Sequence, residues 1–348
     1  MQTAWGAHPR EHESASGGLV LNFVLVLFVI IALTFDFLNG FHDSANVVAT
    51  AIASRAISPR WALGMSALAN FGGPFLFGVA VAKTIGNEVV TGEAVTVPVA
   101  LAALISAIVW NVLTWWLAIP SSSSHALIGG FVGAAIAGYG LQAIRMEGMY
   151  KVLLGLFISP VVGLIFGWVA MRQALFMGQW MSRRVTYFYR RAQWLTTLIL
   201  GLSHGTNDAQ KTMGILTMGL VAFGVLPVFQ VQFWVIFASA SAIALGTALG
   251  GWRLIRTMGA GFYRVRPLHA FTSQVASSVV ILGTALLGSP VSTTQVISST
   301  IVGAGAAQRV PMVRWGVANQ IVVAWILTIP ATILMGALVF WILSRINL

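Results

Sequence analysis

Apolar residues occur along this chain in long continuous runs rather than with strand-like alternation. Ten runs stand out, at residues 20–53, 61–82, 97–119, 121–138, 152–171, 194–224, 231–251, 269–288, 290–307 and 316–343. An uncharged apolar stretch of about 18 residues or more is typical of a transmembrane helix. The pattern therefore predicts an all-α polytopic membrane protein with a short polar tail at residues 1–18.

Composition excludes a soluble enzyme. The chain is 58% hydrophobic and 8% charged, whereas soluble domains carry about 25% charged residues. It has no cysteine, so disulfides, thiolate catalysis and Cys-ligated metals are excluded. No Walker-type phosphate loop is present, which argues against an ATP-driven pump. We expect no enzyme activity, no cofactor and no certain metal site.

Basic residues predict the orientation in the membrane rather than nucleic-acid binding, despite a net charge of +11. If every run crosses once from an outside N-terminus, most of the 19 basic residues fall in inside loops: Arg55, Arg60, Arg172, Arg183, Arg184, Arg190, Arg191, Arg253, Arg256, Arg264, Arg266, Arg309 and Arg314. This bias favours a cytoplasmic (inner) membrane protein with both termini outside and a basic cytoplasmic linker at 173–193. Hairpins that enter and return on one side would change the number of crossings but not the site.

The sequence contains an internal repeat. Gly40 to Asp43 aligns with Gly205 to Asp208 at an offset of 165, and Pro120 to Ser124 aligns with Pro290 to Thr294 at an offset of 170. Two halves of five elements each, 19–172 and 194–348, predict an inverted-topology repeat of about 5+5 elements. Runs 20–53 and 194–224 are too long for one span and have polar, Gly-containing centres, which predicts broken helices. Runs 121–138 and 290–307 open on Pro and Ser/Thr, which predicts half-helices or hairpins.

The two Pro-Ser/Thr elements are candidates for an anion site. Helix N-termini bind anions through free amide groups, and hydroxyl groups donate to anionic oxygens without adding a full charge. The candidate substrate-binding residues are Ser121, Ser122, Ser123, Ser124, Ser292, Thr293 and Thr294. The alternative is that these serines and threonines only pack or bond the helices together.

Three acidic residues, Asp36, Asp43 and Asp208, lie inside apolar runs. A carboxylate there costs roughly 2.5–3.5 kcal/mol on insertion scales, so it is a functional candidate. Asp43 and Asp208 recur at one repeat position, and we expect them to hold a driving cation that neutralises them. Lys211 would offset one carboxylate or contact the anion directly. Asp36 has no counterpart and is either structural or part of an access path.

These four motifs together resemble the inorganic phosphate transporter (Pit) family: Phe37 to Asn46, Ile119 to His125, Ser203 to Lys211 and Pro290 to Gln295. The resemblance implies a homodimeric symporter that imports inorganic phosphate, coupled to protons or sodium, in some bacterial members as a neutral metal–phosphate complex. It implies phosphate at the Ser/Thr elements and Lys211. It implies a coupling-ion site that includes Asp43, Asp208, Asn207, His42, Asn46 and Gln210.

Two departures from the family pattern bear on the coupling ion. His42 stands where some family motifs have Asn, and Lys211 stands where the first motif has Asn46. Imidazole is a poor ligand for a hard cation, and a fixed ammonium disfavours a second sodium ion. Both features favour proton or metal-phosphate coupling over sodium. A sulfate permease of the same fold, or an anion channel, remains the alternative function.

Overall fold

The computed structural model describes residues 11–182 and 184–346, which form a helical protein whose only β-bridge joins Val90 to Ile144. The twelve α-helices are α1 (Glu11–Ala53), α2 (Pro59–Phe77), α3 (Ala80–Lys83), α4 (Val97–Trp116), α5 (Ser123–Tyr139), α6 (Met146–Gly178), α7 (Val185–Ala222), α8 (Phe233–Leu249), α9 (Trp252–Ala260), α10 (Pro267–Leu286), α11 (Thr293–Gln308) and α12 (Trp315–Arg345). A π-helical turn, Thr84–Glu88, continues α3. Of the predicted tail, residues 1–10 lie outside the described residues and 11–18 belong to α1.

The helices are those of a multi-pass membrane protein, as predicted. Among the described residues, five helices are long and apolar enough to cross a membrane, and seven are if each sharply bent pair counts as one span. Large apolar side chains such as Leu68 and Leu334 are exposed on the outside of the bundle, where lipid is the expected neighbour.

The predicted breaks in the two longest runs are wrong. Helix α1 has 43 residues and α7 has 38, and both continue through their Gly-containing centres. The bends lie instead between α2 and α3 (75°) and between α8 and α9 (72°). Gly78 and Gly250 stand at these bends with φ of 80° and 70°, a conformation that glycine adopts without strain.

Close packing explains why α1 and α7 carry glycine without breaking. A Cβ atom on Gly40 would overlap the carbonyl of Ile243 in α8, and one on Gly205 would overlap the backbone of Asn70 in α2. Glycine at these positions therefore lets two helix backbones approach each other, as is common in membrane bundles.

The Pro-Ser/Thr elements are the tips of two helical hairpins, α4–α5 and α10–α11. Each hairpin is joined at its open end, by Tyr139 Oη to Thr96 Oγ1 (3.4 Å) in the first and by His269 Nε2 and Gln308 Oε1 (2.5 Å) in the second. Each hairpin thus enters and returns at one end, so the assumption that all ten runs cross once is wrong. Two hairpins in place of four crossings leave the alternation of sides unchanged, but Arg253 and Arg256 lie in α9, the second part of a bent span, and not in a loop.

The two halves are interlaced and run in opposite directions. Thr212 Oγ1 donates to Asp36 Oδ1 (2.6 Å), and Ser54 Oγ donates to Gln193 Oε1 (2.7 Å), which makes α1 and α7 antiparallel. Helices of one half pack mainly on the other: α1 on α8, α2 on α7, α5 on α12 and α6 on α11. The hairpin tips meet where Ser124 Oγ donates to the Val291 carbonyl (3.1 Å).

Candidate functional site

The site lies where the two hairpin tips meet α1 and α7. Helices α5 and α11 begin at the tips, and each is capped by the serine before it. Ser122 Oγ accepts from the His125 amide (3.1 Å) and Ser292 Oγ accepts from the Gln295 amide (3.3 Å). Serine is a favoured N-cap because its side-chain oxygen satisfies an amide that the helix leaves unpaired. Both serines therefore stabilise the helix starts, and each keeps its own O–H hydrogen to donate to another acceptor.

Two helix N-termini thus point into the buried centre of the protein. The amides of the first residues of α5 and α11, Ser123 with Ser124 and Thr293 with Thr294, have no carbonyl partner within their own helices. Their dipoles are positive at this end and favour an anion. The remaining predicted residue, Ser121, donates to Thr114 Oγ1 (2.8 Å) within the first hairpin.

Asp43 on α1 is held by both hairpins. Ser123 Oγ donates to its Oδ2 (3.0 Å) and Thr294 Oγ1 donates to its Oδ1 (3.3 Å). His42 Nδ1 lies 2.7 Å from Oδ1. Asp43 is buried, and hydroxyl groups do not cancel its charge.

Asp208 on α7 has the equivalent place in the second half. Thr293 Oγ1 donates to Asp208 Oδ2 (2.9 Å), as Ser123 does to Asp43. The Lys211 ammonium bonds Asp208 Oδ1, and His204 Nε2 lies 3.1 Å from Oδ2. All of these side chains are buried, so Asp208, unlike Asp43, has a permanent counter-charge.

One substitution breaks the near twofold symmetry of the site. Asn46 and Lys211 each follow their aspartate by three residues, which returns them to the same helix face. Asn46 Nδ2 donates to Thr294 Oγ1 (2.9 Å), and Lys211 Nζ donates to Ser124 Oγ (2.5 Å). Each therefore reaches the second hydroxyl of the opposite hairpin, but one is neutral and the other is a cation.

A metal ion does not fit this arrangement well. Ligand atoms of Asp43, His204 and Asp208 lie within 4.8 Å of one another, which is close enough for a shared ion. The Lys211 ammonium, however, already bonds Asp208, and a second cation there would be repelled at low dielectric. The Lys211 ammonium therefore occupies the place that a metal ion bound to Asp208 would need.

Asn207 and Gln210, which were also predicted for the coupling-ion site, have different surroundings. Asn207 is buried, and neither its Oδ1 nor its Nδ2 has a partner among the described residues. Gln210 is engaged at the bend after α2, where its Oε1 accepts from the Val81 amide (2.8 Å) and its Nε2 donates to the Gly78 carbonyl (2.6 Å). Gln210 therefore stabilises the bend, and we leave it out of the ion site.

Sequence reasoning left His204 out of the candidate site residues, although its pattern carried a signal. The first motif has Asn39, His42 and Asp43, and the second has His204 and Asn207 before its aspartate. Histidine and asparagine have exchanged places, one residue and four residues before the aspartate. His204 shares a helix face with Asp208, four residues later, and His42 directly precedes Asp43, so each aspartate has one histidine neighbour. Asn39, like Asn207, is buried without a side-chain partner among the described residues.

A family model described as "Phosphate transporter family" matches residues 39–181 and 175–336 of this chain. The two matches cover both halves, including every residue at the two hairpin tips. The resemblance found from the four motifs is thereby confirmed.

Curated relatives match over nearly the whole chain. A protein of Bacillus subtilis is 41% identical over 333 residues, covering 94% of this chain and 99% of its own length. One of Rhizobium meliloti is 42% identical, covering 91% and 96%, and both are described as "Probable low-affinity inorganic phosphate transporter". These relatives are named as transporters and not as enzymes.

A solved structure, "The sodium-dependent phosphate transporter", has the same fold. It superposes with a TM-score of 0.84 at 24% identity and covers 93% of this chain and 100% of its own. The interlaced helical architecture is therefore shared at low sequence identity.

Proposed function

The chain belongs to the phosphate transporter family, and from this premise we propose that it imports inorganic phosphate by symport with a cation. The phosphate binds between the hairpin tips, at the hydroxyls and first-turn amides of α5 and α11. The sulfate and channel alternatives gain no support from the two relatives described above, which are both named for phosphate.

One observation carries the coupling mechanism: the donors that suit phosphate are already bonded to aspartate. Ser123 and Thr294 donate to Asp43, and Thr293 donates to Asp208. A hydroxyl has one hydrogen to donate, so the carboxylates and a phosphate compete for the same donors. Phosphate binds well only when a cation neutralises the carboxylate and releases its hydroxyls.

Charge balance assigns this role to Asp43. Lys211 offsets Asp208 permanently, so the site carries one net negative charge before phosphate arrives, if the histidines are neutral. An anion brought to this buried charge would be repelled strongly. A proton on Asp43 removes the repulsion and turns the carboxyl group from an acceptor into a donor. We therefore propose that the coupling cation is a proton.

The opposed halves supply a means of alternating access. The two hairpins open at opposite ends and contact the same central site, the arrangement expected of an inverted-repeat transporter. We propose that the site is exposed first to one side and then to the other, in a homodimer with one pathway per subunit. The inner-membrane location and the outside termini stay as predicted from the arginine distribution.

Uptake of labelled phosphate into proteoliposomes tests the function. We expect saturable accumulation driven by an inward proton gradient, with competition by arsenate and little by sulfate. Accumulation that requires sodium at every pH would contradict proton coupling, and non-saturable flux would contradict a carrier. Runs with and without a divalent metal distinguish free phosphate from a metal–phosphate complex.

The Ser123→Ala variant tests the phosphate site. We expect the KM for phosphate to rise about tenfold or more, because a hydrogen bond to a charged group contributes about 1.5–3 kcal/mol. Ser159→Ala is the matched control, since Ser159 is a buried serine on α6 whose side chain, among the described residues, bonds only the Leu156 carbonyl (3.3 Å). An unchanged KM in Ser123→Ala and in Thr293→Val would place the anion elsewhere.

A further inference from the structure

An apolar groove with a volume of about 890 Å³ lies on the outside of the bundle, between α2, α8 and the start of α7. Its lining combines small residues with large apolar side chains. Its lining includes Trp61, Gly64, Leu68, Phe71, Trp194 and Ala244. None of its lining residues belongs to the hairpin tips, so the transport site does not account for it.

The length of the groove matches one leaflet of a bilayer. Along α2 it extends from Trp61 to Phe71, and ten residues at about 1.5 Å each give roughly 15 Å. The hydrocarbon core of a membrane is about 30 Å thick. A groove of this length suits a lipid chain of one leaflet, whereas a helix of a second copy would pack along a face of full membrane depth.

Two tryptophans mark the end of the groove that faces the headgroups. Trp61 is in the first turn of α2, and Trp194 is in the third turn of α7. The two helices run parallel here, because Gly201 packs on Ser66 and Ala69 and Gly205, further along α7, packs on Asn70, further along α2. Tryptophan is enriched at the boundary between hydrocarbon and headgroups, so both side chains indicate the depth of that boundary.

The same end of the groove is strongly basic. Arg60 directly precedes Trp61, and Arg190 and Arg191 lie one helical turn before Trp194; all three are exposed. The chain has no acidic residue between Asp43 and Glu88, between Glu147 and Asp208, or after Asp208. The elements that form the mouth therefore bring no carboxylate to neutralise these arginines.

We propose that this groove binds an anionic phospholipid, with one acyl chain between α2 and α8 and the headgroup phosphate at Arg60, Arg190 and Arg191. Basic residues at the edge of an intramembrane pocket recognise anionic headgroups. Because α2 and α7 also hold the site through Asn70 and His204, whose side chains bond at 3.2 Å, the lipid lies against helices that carry site residues.

Native mass spectrometry of the purified full-length protein tests this proposal, with phosphatidylglycerol and phosphatidylcholine of identical chains as probes. We expect phosphatidylglycerol to be retained preferentially. Each arginine near an anionic headgroup contributes roughly a fivefold change in affinity. In the double variant Arg190→Gln/Arg191→Gln, the ratio of the affinity for phosphatidylglycerol to that for phosphatidylcholine should therefore fall by roughly 25-fold. Ala244→Phe, which fills the groove, should reduce retention of both lipids.

Arg309→Gln/Arg314→Gln is the matched control, because these arginines are not in the groove or its mouth, and the preference should remain. Equal retention of the two lipids by the unchanged protein, or a preference that survives the loss of Arg190 and Arg191, would overturn the proposal. If Ala244→Phe converted a dimer to a monomer without any effect on lipid retention, the groove would be a contact surface for a second copy and not a lipid site. Gel filtration and phosphate uptake establish that each variant is folded.

Discussion

Lys211→Met is expected to destabilise the protein by about 3–5 kcal/mol and to abolish phosphate uptake, because it leaves the buried Asp208 carboxylate without its counter-charge. The double variant Lys211→Met/Asp208→Asn should recover most of this stability, since neither charge then remains. It should not recover uptake, because the Lys211 ammonium, which reaches Ser124 Oγ at the hairpin tip, is then missing from the proposed anion site. Thermal unfolding followed by fluorescence of the 13 tryptophans, together with proteoliposome uptake, measures both effects.

Lys151→Met provides the contrast. Lys151 also pairs with a carboxylate, Glu88 (3.2 Å), but both side chains are about 40% exposed. Exposed ion pairs contribute about 0–1 kcal/mol, so this variant should unfold close to the temperature of the unchanged protein. If Lys211→Met were no less stable than Lys151→Met, the Lys211–Asp208 pair would not have the role assigned to it.

Asp43→Asn is expected to abolish gradient-driven accumulation of phosphate while phosphate binding persists. An asparagine amide resembles a protonated carboxyl group in shape and charge, so the variant mimics the state in which we propose that phosphate binds. Accumulation should fall to the level of liposomes without protein. Phosphate should still raise the unfolding temperature, and it should do so with less dependence on pH than in the unchanged protein.

Asp36→Asn is the control for Asp43→Asn. Asp36 is a second buried aspartate on α1, but it accepts from Thr212 rather than from a hairpin tip. We expect it to retain coupled uptake. Accumulation by Asp43→Asn above the equilibrium level would show that Asp43 is not needed for coupling. If phosphate no longer stabilised this variant, asparagine at position 43 would not mimic the protonated carboxyl group.

The central residues could be predicted from sequence because the polar positions stand out against apolar runs. Asp43, Asp208 and the Ser/Thr elements recur at nearly constant offsets, and such paired interruptions point to a midplane site. Gln210 could have been excluded by geometry. Two residues after an aspartate is the opposite helix face, whereas Lys211, three residues after it, returns to the same face.

The positions of the bends could not be predicted from hydropathy. Gly40 and Gly78 are both glycines inside apolar runs, yet one lies in a continuous helix and the other at a bend of 75°. The difference depends on the neighbour: the backbone of Ile243 packs on Gly40, and Gly78 has a positive φ. Such contacts join residues far apart in sequence, so they become visible only in the assembled fold.

The interlaced packing of the two halves has a consequence for biosynthesis. Helix α6 leaves the ribosome before its main partner α11, and α5 leaves it before α12. Until the second half has been made, the faces of the first half that will contact it therefore lie against lipid. The hydrogen bond from Thr294 to Asp43 cannot form until almost the whole chain has been synthesised. Assembly of the binding site is thus one of the last events in the maturation of this protein.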